Sequence, residues 1–471
     1  MRIKDLIAKR QRREQKQARE QRNMEKWQTV EIPEKEPFTL PSAFSKEVIA
    51  ELKHLPSNIS NEEVLRRRDM RDVLTFTIDP ADAKDFDDAL SIRSAGEGLW
   101  EIGVHIADVS HYVTEGSIID KEAFKRATSI YLVDRTIPML PEHLCNFLCS
   151  LRPNEEKLTY SVIFTMNDKA EVKKFEITRA VIKSDRRFSY EEVQEIIEKG
   201  EGEYFEEIST LNRLAQKMRE KRFAAGAIDF QQAQVHFRLD ESGKPLSVYF
   251  SESNESHQLI EEFMLLANRT VAEKIGKKTP NSTPKTFVYR IHDEPNPEKL
   301  SMLSKFVTKL GYKMRSGSGR TTSANALNSL LKEVHGSKEQ NVIEQISLRT
   351  MQKARYSTGN IGHYGLAFRY YTHFTSPIRR YPDLLVHRLL DRYLTLGARS
   401  VSQPKYEDLC EHCSAQEQVA AKLQLRGFDI SRSIYSQIEC GIHNIRVDEL
   451  IALKQIFGVT YDDFFAPLED A

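Results

Sequence analysis

Cysteine, long apolar runs and net charge are all scarce in this sequence. Its 471 residues hold five cysteines, Cys145, Cys149, Cys410, Cys413 and Cys440. That number is odd and too small for a disulfide framework in so long a chain, so reduced thiols are expected. Cys410 and Cys413 have C-x-x-C spacing, but a structural zinc site needs a second ligand pair and only scattered candidates such as His412 stand nearby; they read as helix residues. No apolar run approaches the roughly 20 residues of a bilayer span. The N-terminus is charged from Arg2 and lacks the apolar stretch of a secretory signal. A cytoplasmic protein with no membrane partner is the expectation. Lys plus Arg number 69 and Asp plus Glu 69, for a formal charge of zero. The balance excludes a polycation that binds through bulk charge and still allows a local basic groove. With 40% apolar and 29% charged residues, the composition is that of a globular protein, and the length allows about three domains.

The neutral total hides unlike parts. Residues 1–22 carry nine Lys or Arg against three acids, a net of +6, with only Ile3, Leu6 and Ile7 to make an apolar face. This reads as a basic helix or tail, either solvated or RNA-gripping. Pro33, Pro37 and Pro41 mark an extended linker up to residue 42. Beyond it, Val73–Ile78 is β-branched or aromatic and stops at Asp79-Pro80, as a strand entering a loop does. Similar runs predict strands over Trp100–Asp108, Tyr160–Met166, Lys174–Ile182 and Val235–Leu239. Apolar spacing predicts helices over Tyr190–Lys199, Leu211–Ala224, His257–Ile275 and after Pro382. The mixture points to a large α+β domain starting near residue 43.

Two segments carry chemistry. TIDPADAKDFDDAL, residues 77–90, presents Asp79, Asp85, Asp87 and Asp88, with Asp82 beside them and only Lys84 in opposition. Carboxylates converging on one loop repel each other, and protonating them at neutral pH demands large pKa shifts. A hard divalent cation, Mg²⁺ or Mn²⁺, resolves the conflict through oxygen ligands while keeping positions for water or phosphate. The segment lacks the sixth-position glycine and closing glutamate of an EF-hand, which leaves phosphoryl chemistry as the better assignment. The alternative is an Asp-rich turn whose side chains only cap backbone groups. The second segment is YYTHFTSPIRRYPD, residues 370–383. Here Ser376-Pro377 makes a turn and Arg379 and Arg380 offer two guanidinium forks suited to phosphate. Taken alone, both arginines would pair with surface carboxylates. Aromatics near turns (Tyr131, Phe230, Tyr289, Tyr370, Tyr371, Tyr381) include candidates for base stacking among ordinary core residues.

Together these segments closely resemble the RNB catalytic domain of the ribonuclease II and ribonuclease R family, in wording nearer to ribonuclease R. The resemblance extends through GVHIADVSHYV (103–113), YLVDRTIPMLPEHL (131–144), CSLRPNEEKLTYSV (149–162), LIEEFMLLAN (259–268), VYRIHDEPNPEKL (288–300) and HFTSPIRRYPDLLVHRLL (373–390), in family order. It implies an RNB core of mixed sheets and helices over residues 43–414. It also implies a processive hydrolytic exoribonuclease that degrades single-stranded RNA from a free 3′ end and releases nucleoside 5′-monophosphates. Asp79, Asp85, Asp87 and Asp88 fall on the family's metal-site aspartates, with Asp87 matching the one essential for cleavage. Arg379 matches the arginine at the scissile phosphate and Tyr131 the tyrosine that positions the terminal nucleotide. Phe230 corresponds to the aromatic that closes the base stack, and Glu262 to the glutamate that hydrogen-bonds terminal riboses. Arg380 joins these as an RNA contact.

The likeness is partial. Two cold-shock OB domains before the core and one OB domain after it belong to the family pattern and are not legible here. After residue 414 the family helix supplies another active-site glutamate; this chain reads AQEQVAAKLQLRGFDISRSIYSQIECG, with Glu417 near the junction and the later carboxylate missing. Residues 415–471 instead resemble a truncated Cro/repressor-type helix-turn-helix, a small all-α segment. In it Ser431, Arg432, Ser433, Ser436 and Gln437 would face a DNA major groove. Residues 416–471 carry a net of −4, unfavourable for phosphate. A catalytically impaired RNA-binding protein and a DNA-directed regulator therefore stand beside the exoribonuclease as alternatives.

Overall fold

The computed structural model describes residues 43–131, 136–228, 234–239, 245–251, 254–277, 285–314 and 320–426. Ser45 opens a compact unit of its own. Its strands up to Ser189, in chain order, are β1 (Arg68–Asp69), β2 (Thr75–Asp79), β3 (Asp88–Gly96), β4 (Leu99–Ala107), the separate hairpin of β5 (Ile130–Tyr131) with β6 (Thr136–Ile137), β7 (Glu156–Asn167), β8 (Val172–Lys183) and β9 (Arg186–Ser189). Seven of them form the central sheet, in the order β1-β8-β7-β4-β3-β2-β9. The interior pairs are antiparallel, while β1 joins β8 and β9 joins β2 in parallel. All five residues of β2 are buried, as are most of β7. Phe76, Leu90, Ile102, Val104, Ile106, Val162 and Phe164 are almost wholly excluded from water. A sheet covered on both faces explains why these strands read as continuous apolar runs.

Helices cover the sheet where their apolar faces permit. Tyr190–Lys199 starts from a capping box, in which the Ser189 hydroxyl accepts the Glu192 N–H and the Glu192 carboxylate accepts the Ser189 N–H. It stops at Gly200, whose φ of +70° suits a residue without Cβ. Phe205–Ala224 and Glu255–Gly276 follow. Tyr381–Leu390 has Pro382 in its first turn, where a missing N–H costs nothing, and is buried on every face. A satellite core of Leu303, Val307, Leu327, Leu330, Val334 and Ile343 joins the helices Pro297–Lys309, Arg320–Val334 and Gln340–Thr350. A single helix runs through the 414/415 junction, from Gln403 to Arg426. Cys410 and Cys413 are buried in it as free thiols, and the His412 ring hydrogen-bonds the Phe124 carbonyl at 2.8 Å. Among the described residues, no helix is long and apolar enough to cross a membrane.

A buried ion network fastens the sheet. Asp108, just after β4, is fully buried and accepts from Arg67 Nη1 and Arg179 Nη1, each at 2.7 Å. Burial alone would raise its pKa, but the two guanidiniums hold it well below the usual carboxylate range.

Candidate active site

The aspartates gather where β2 ends and β3 begins. Asp79 is the last residue of β2, paired in register with Ser189 of β9, and Asp88 opens β3 opposite Ile106 of β4. Pro80 has no N–H to continue a ladder, so the chain leaves the sheet there. Its carbonyl accepts from the Ala83 N–H at 3.0 Å and from Arg187 Nη2. The Arg187 guanidinium also lies 5.6 Å from the Phe86 ring centroid. One cation thus touches the loop beside Asp79 and again beside Asp87. The loop closes when the Asp87 carbonyl accepts the Ala107 N–H at 2.9 Å.

The second segment meets the first at Asp87. The Ile378 N–H donates to Asp87 Oδ1 at 3.0 Å across 291 positions of sequence, and Arg379 Nε lies 3.5 Å from Asp87 Oδ2. The Arg379 side chain remains 42% exposed against 7% for Asp87, so its guanidinium faces both the carboxylate and open solvent. Its Nη2 donates to Ser376 Oγ at 3.1 Å. The backbone of this turn also pairs with residues 127–129. Ser129 N–H donates to the Arg379 carbonyl at 3.0 Å and Tyr381 N–H to the Ala127 carbonyl at 2.9 Å. Those bonds lead to Tyr131, in the short hairpin of Ile130–Tyr131 with Thr136–Ile137. Tyr131 is 37% exposed. Burial pushes its phenol up, Arg379 opposes that shift, and Asp85 and Asp87 add to it.

The carboxylates are electrostatically strained. Burial pushes Asp79 up to about 7, against the Thr77 hydroxyl and Arg187, with Asp87 and Asp85 adding to it. Burial and Asp79 push Asp88 up to about 7, opposed by Arg379 and Arg380. Asp87 is pushed well above the carboxylate range by burial, against Arg379 and the Ile378 N–H, and burial raises Asp85 as well. Asp79 Oδ2 is buried without a hydrogen-bond partner among the described residues. Orphaned carboxylate oxygen amid mutual repulsion is the donor chemistry that a hard dication satisfies. Among the described residues, no group of three or more Asp, Glu, His or Cys side chains stands ready to hold a metal ion.

Other anticipated residues lie elsewhere. Arg380 turns away from the aspartates and forms a bidentate pair with fully buried Asp383, Nε to Oδ2 at 2.9 Å and Nη2 to Oδ1 at 2.7 Å. Glu262, buried on Glu255–Gly276, accepts from Arg222 Nε at 3.0 Å and Nη2 at 2.5 Å. Burial raises its pKa while Arg222 draws it down. Glu417 is held by both Nη atoms of Arg290, at 2.7 and 3.0 Å. Phe230, Ser431, Arg432, Ser433, Ser436 and Gln437 fall outside the described residues. One site neighbour escaped notice in the sequence: Tyr190, whose phenol is pushed up by burial and then by Asp88 and Asp79. Its ring stacks on His257, centroids 4.0 Å apart and 8° from parallel. Its only signal was its place directly after a strand that ends beside the aspartates.

The RNB domain family model matches residues 67–396. The chain belongs to the RNB family. It is 37% identical over 446 residues to ribonuclease R of Aquifex aeolicus, covering 92% of this chain and 60% of that one. It is 41% identical over 395 residues to ribonuclease R of Thermotoga maritima, covering 81% of this chain and 54% of that one. It thus spans little more than half the length of these RNB relatives. The structure superposes on Mycoplasma genitalium ribonuclease R in complex with ribose-methylated single-stranded RNA with a TM-score of 0.74 at 28% identity. That match covers 81% of this chain and 60% of the other. The α+β core of mixed sheets and helices anticipated from the sequence is therefore that of an RNB domain. RNB nucleases as a class depend on divalent metal, in keeping with the strained aspartates.

Proposed function

We propose that this RNB chain is a hydrolytic, processive 3′-to-5′ exoribonuclease that degrades single-stranded RNA to nucleoside 5′-monophosphates with Mg²⁺ or Mn²⁺. The observation that carries the reading is the convergence on Asp87 of the Ile378 N–H and the Arg379 guanidinium, beside Asp79, Asp85 and Asp88. The relatives named above are ribonucleases R, and one of them was solved on single-stranded RNA.

The four aspartates would hold the metal, which when bound supplies Lewis-acid charge at the phosphate and a deprotonated water near neutral pH. The half-exposed Arg379 fork would bind the scissile phosphate and offset the charge that grows on its oxygens. Tyr131 would pack against the terminal nucleotide, with Phe230 closing the stack. Glu262, oriented by Arg222, would accept a ribose hydroxyl and so favour RNA over DNA. Arg380 would act through its pair with Asp383, holding the turn that presents Arg379. In this reading residues 43–414 form the catalytic domain, between the basic extension of 1–42 and the segment 415–471.

The test is incubation of the full chain with Mg²⁺ and a uniformly labelled RNA bearing a single-stranded 3′ end, with a uniformly labelled circular RNA of the same sequence alongside. Nucleoside 5′-monophosphates should accumulate from the linear RNA only, and chelation or Asp87→Asn should stop their release. Absence of mononucleotides, or release indifferent to Asp87→Asn, would refute the proposal.

A further inference from the structure

The aspartate loop is braced by a residue outside it. Ser150 belongs to the segment after the short helical turn Leu144–Leu148 and is fully buried. Its hydroxyl accepts the Phe86 N–H at 3.0 Å and donates to the Lys84 carbonyl at 2.9 Å. Those two groups flank Asp85, and a serine hydroxyl with one donor and an acceptor lone pair satisfies both. The next residue adds a third bond, Leu151 N–H to the Phe86 carbonyl at 3.0 Å, immediately before Asp87. The bracing segment is itself anchored. Cys149 N–H donates to the Leu144 carbonyl at 2.9 Å and Asn154 N–H to the Ser184 carbonyl at 2.6 Å. Within Ala81–Phe86, the other backbone bond among the described residues is the Ala83–Pro80 turn.

We propose that Ser150 is a positioning residue for the aspartate site: its hydroxyl fixes the backbone on both sides of Asp85 and thereby sets where that carboxylate stands relative to Asp79, Asp87 and Asp88. The inference rests on the metal-dependent reading above and names a device for it. Carboxylates that repel each other splay apart unless the backbone confines them, so removing the brace weakens the hold on the cation without deleting a ligand.

The experiment titrates the purified full chain with Mn²⁺ by electron paramagnetic resonance in the absence of RNA, for wild type, Ser150→Ala, Ser150→Cys and Ser161→Ala. Ser161 is another buried serine, bonded to His105 at 2.8 Å on β7, and controls for general loss of an interior hydroxyl. Ser150→Ala should bind Mn²⁺ about 10- to 100-fold more weakly, the range for loss of a partner that orients ligands. Ser150→Cys should fall between, and Ser161→Ala should match wild type. Wild-type affinity in a folded Ser150→Ala protein overturns the role. Should that variant fail to fold, wild-type affinity in folded Ser150→Cys does the same. A wild-type chain that binds no Mn²⁺ also overturns it. A wild-type chain that binds Mn²⁺ but releases no nucleotide refutes only the ribonuclease reading, and weak binding by Ser150→Ala would still support the brace.

Discussion

Asp383→Asn is the most revealing perturbation outside the aspartates. Asp383 is fully buried and accepts three hydrogen bonds, from Ser376 N–H at 2.8 Å, Arg380 Nε at 2.9 Å and Arg380 Nη2 at 2.7 Å. The asparagine is nearly isosteric, so what changes is the charge and one acceptor: its NH2 faces an N–H where a carboxylate oxygen accepted, and the Arg380 guanidinium is left with no counter-ion. Breaking a buried ion pair from one side costs about 3–5 kcal/mol. The Arg380 side chain retains 19% exposure, and water at its edge puts the loss near the lower end, about 3 kcal/mol. Against a typical total of about 5–15 kcal/mol, that is a large shift in urea midpoint, read by far-ultraviolet circular dichroism. Replacing both partners, Arg380→Met with Asp383→Leu, removes the stranded charge. It leaves mainly the Ser376 N–H unsatisfied, about 1–3 kcal/mol, so the double variant should recover part of the loss. Because Ile378 and Arg379 ride on the same turn, nucleotide release by Asp383→Asn should fall more than RNA affinity. An unchanged urea midpoint for Asp383→Asn, or a double variant as unstable as the sum of the single ones, would refute the clamp.

Further outcomes follow from the same geometry. Arg379→Ala should lower turnover by about 10²- to 10³-fold, the usual cost of one transition-state donor, measured in single-turnover RNA degradation; Arg379→Lys should restore only part, since a point charge cannot grip two phosphate oxygens. His105, buried between Ser161 and Ser91 at 2.8 Å each, is held neutral by burial and lowered to about 3. Its folded pKa lies below the unfolded one, so the unfolded chain takes up the proton first and stability falls as pH drops. Wild type should lose about 1.4 kcal/mol per pH unit relative to His105→Gln between about 6.5 and 3, and parallel pH profiles of the two would reject this account. Arg222→Met should strand buried Glu262 without its cation and raise its pKa, read as a shift of the carboxylate titration by isotope-edited infrared difference spectra.

The strands legible in the sequence are those with dense β-branched and aromatic content: β2, β4, β7, β8 and the strand Gln234–Leu239 all coincide with predicted runs to within a few residues. Strand β3, Asp88–Gly96, was hidden because it opens on a carboxylate and its outer half is exposed Arg93 and Ser94, leaving little apolar signal. Strand β9 has only four residues and owes its existence to the neighbour it pairs with. The site shows the same divide. The clustered aspartates could be read as a unit because they are close in sequence and their repulsion demands an explanation. The adjacent arginines could not be told apart. Arg380 has extended backbone, φ −136° and ψ 120°, and in such a chain neighbouring side chains point to opposite sides. One therefore faces Asp87 and the other Asp383.

By itself, then, the sequence determined the α+β class, the RNB likeness and the clustering of four carboxylates, because these depend on composition and on groups near each other along the chain. Only the tertiary structure decided which arginine meets Asp87, that Glu262 is held by Arg222, and that Ser150 braces Asp85. Those contacts join residues at least 40 positions apart, and they depend on sheet register and helix packing, which local periodicity does not encode.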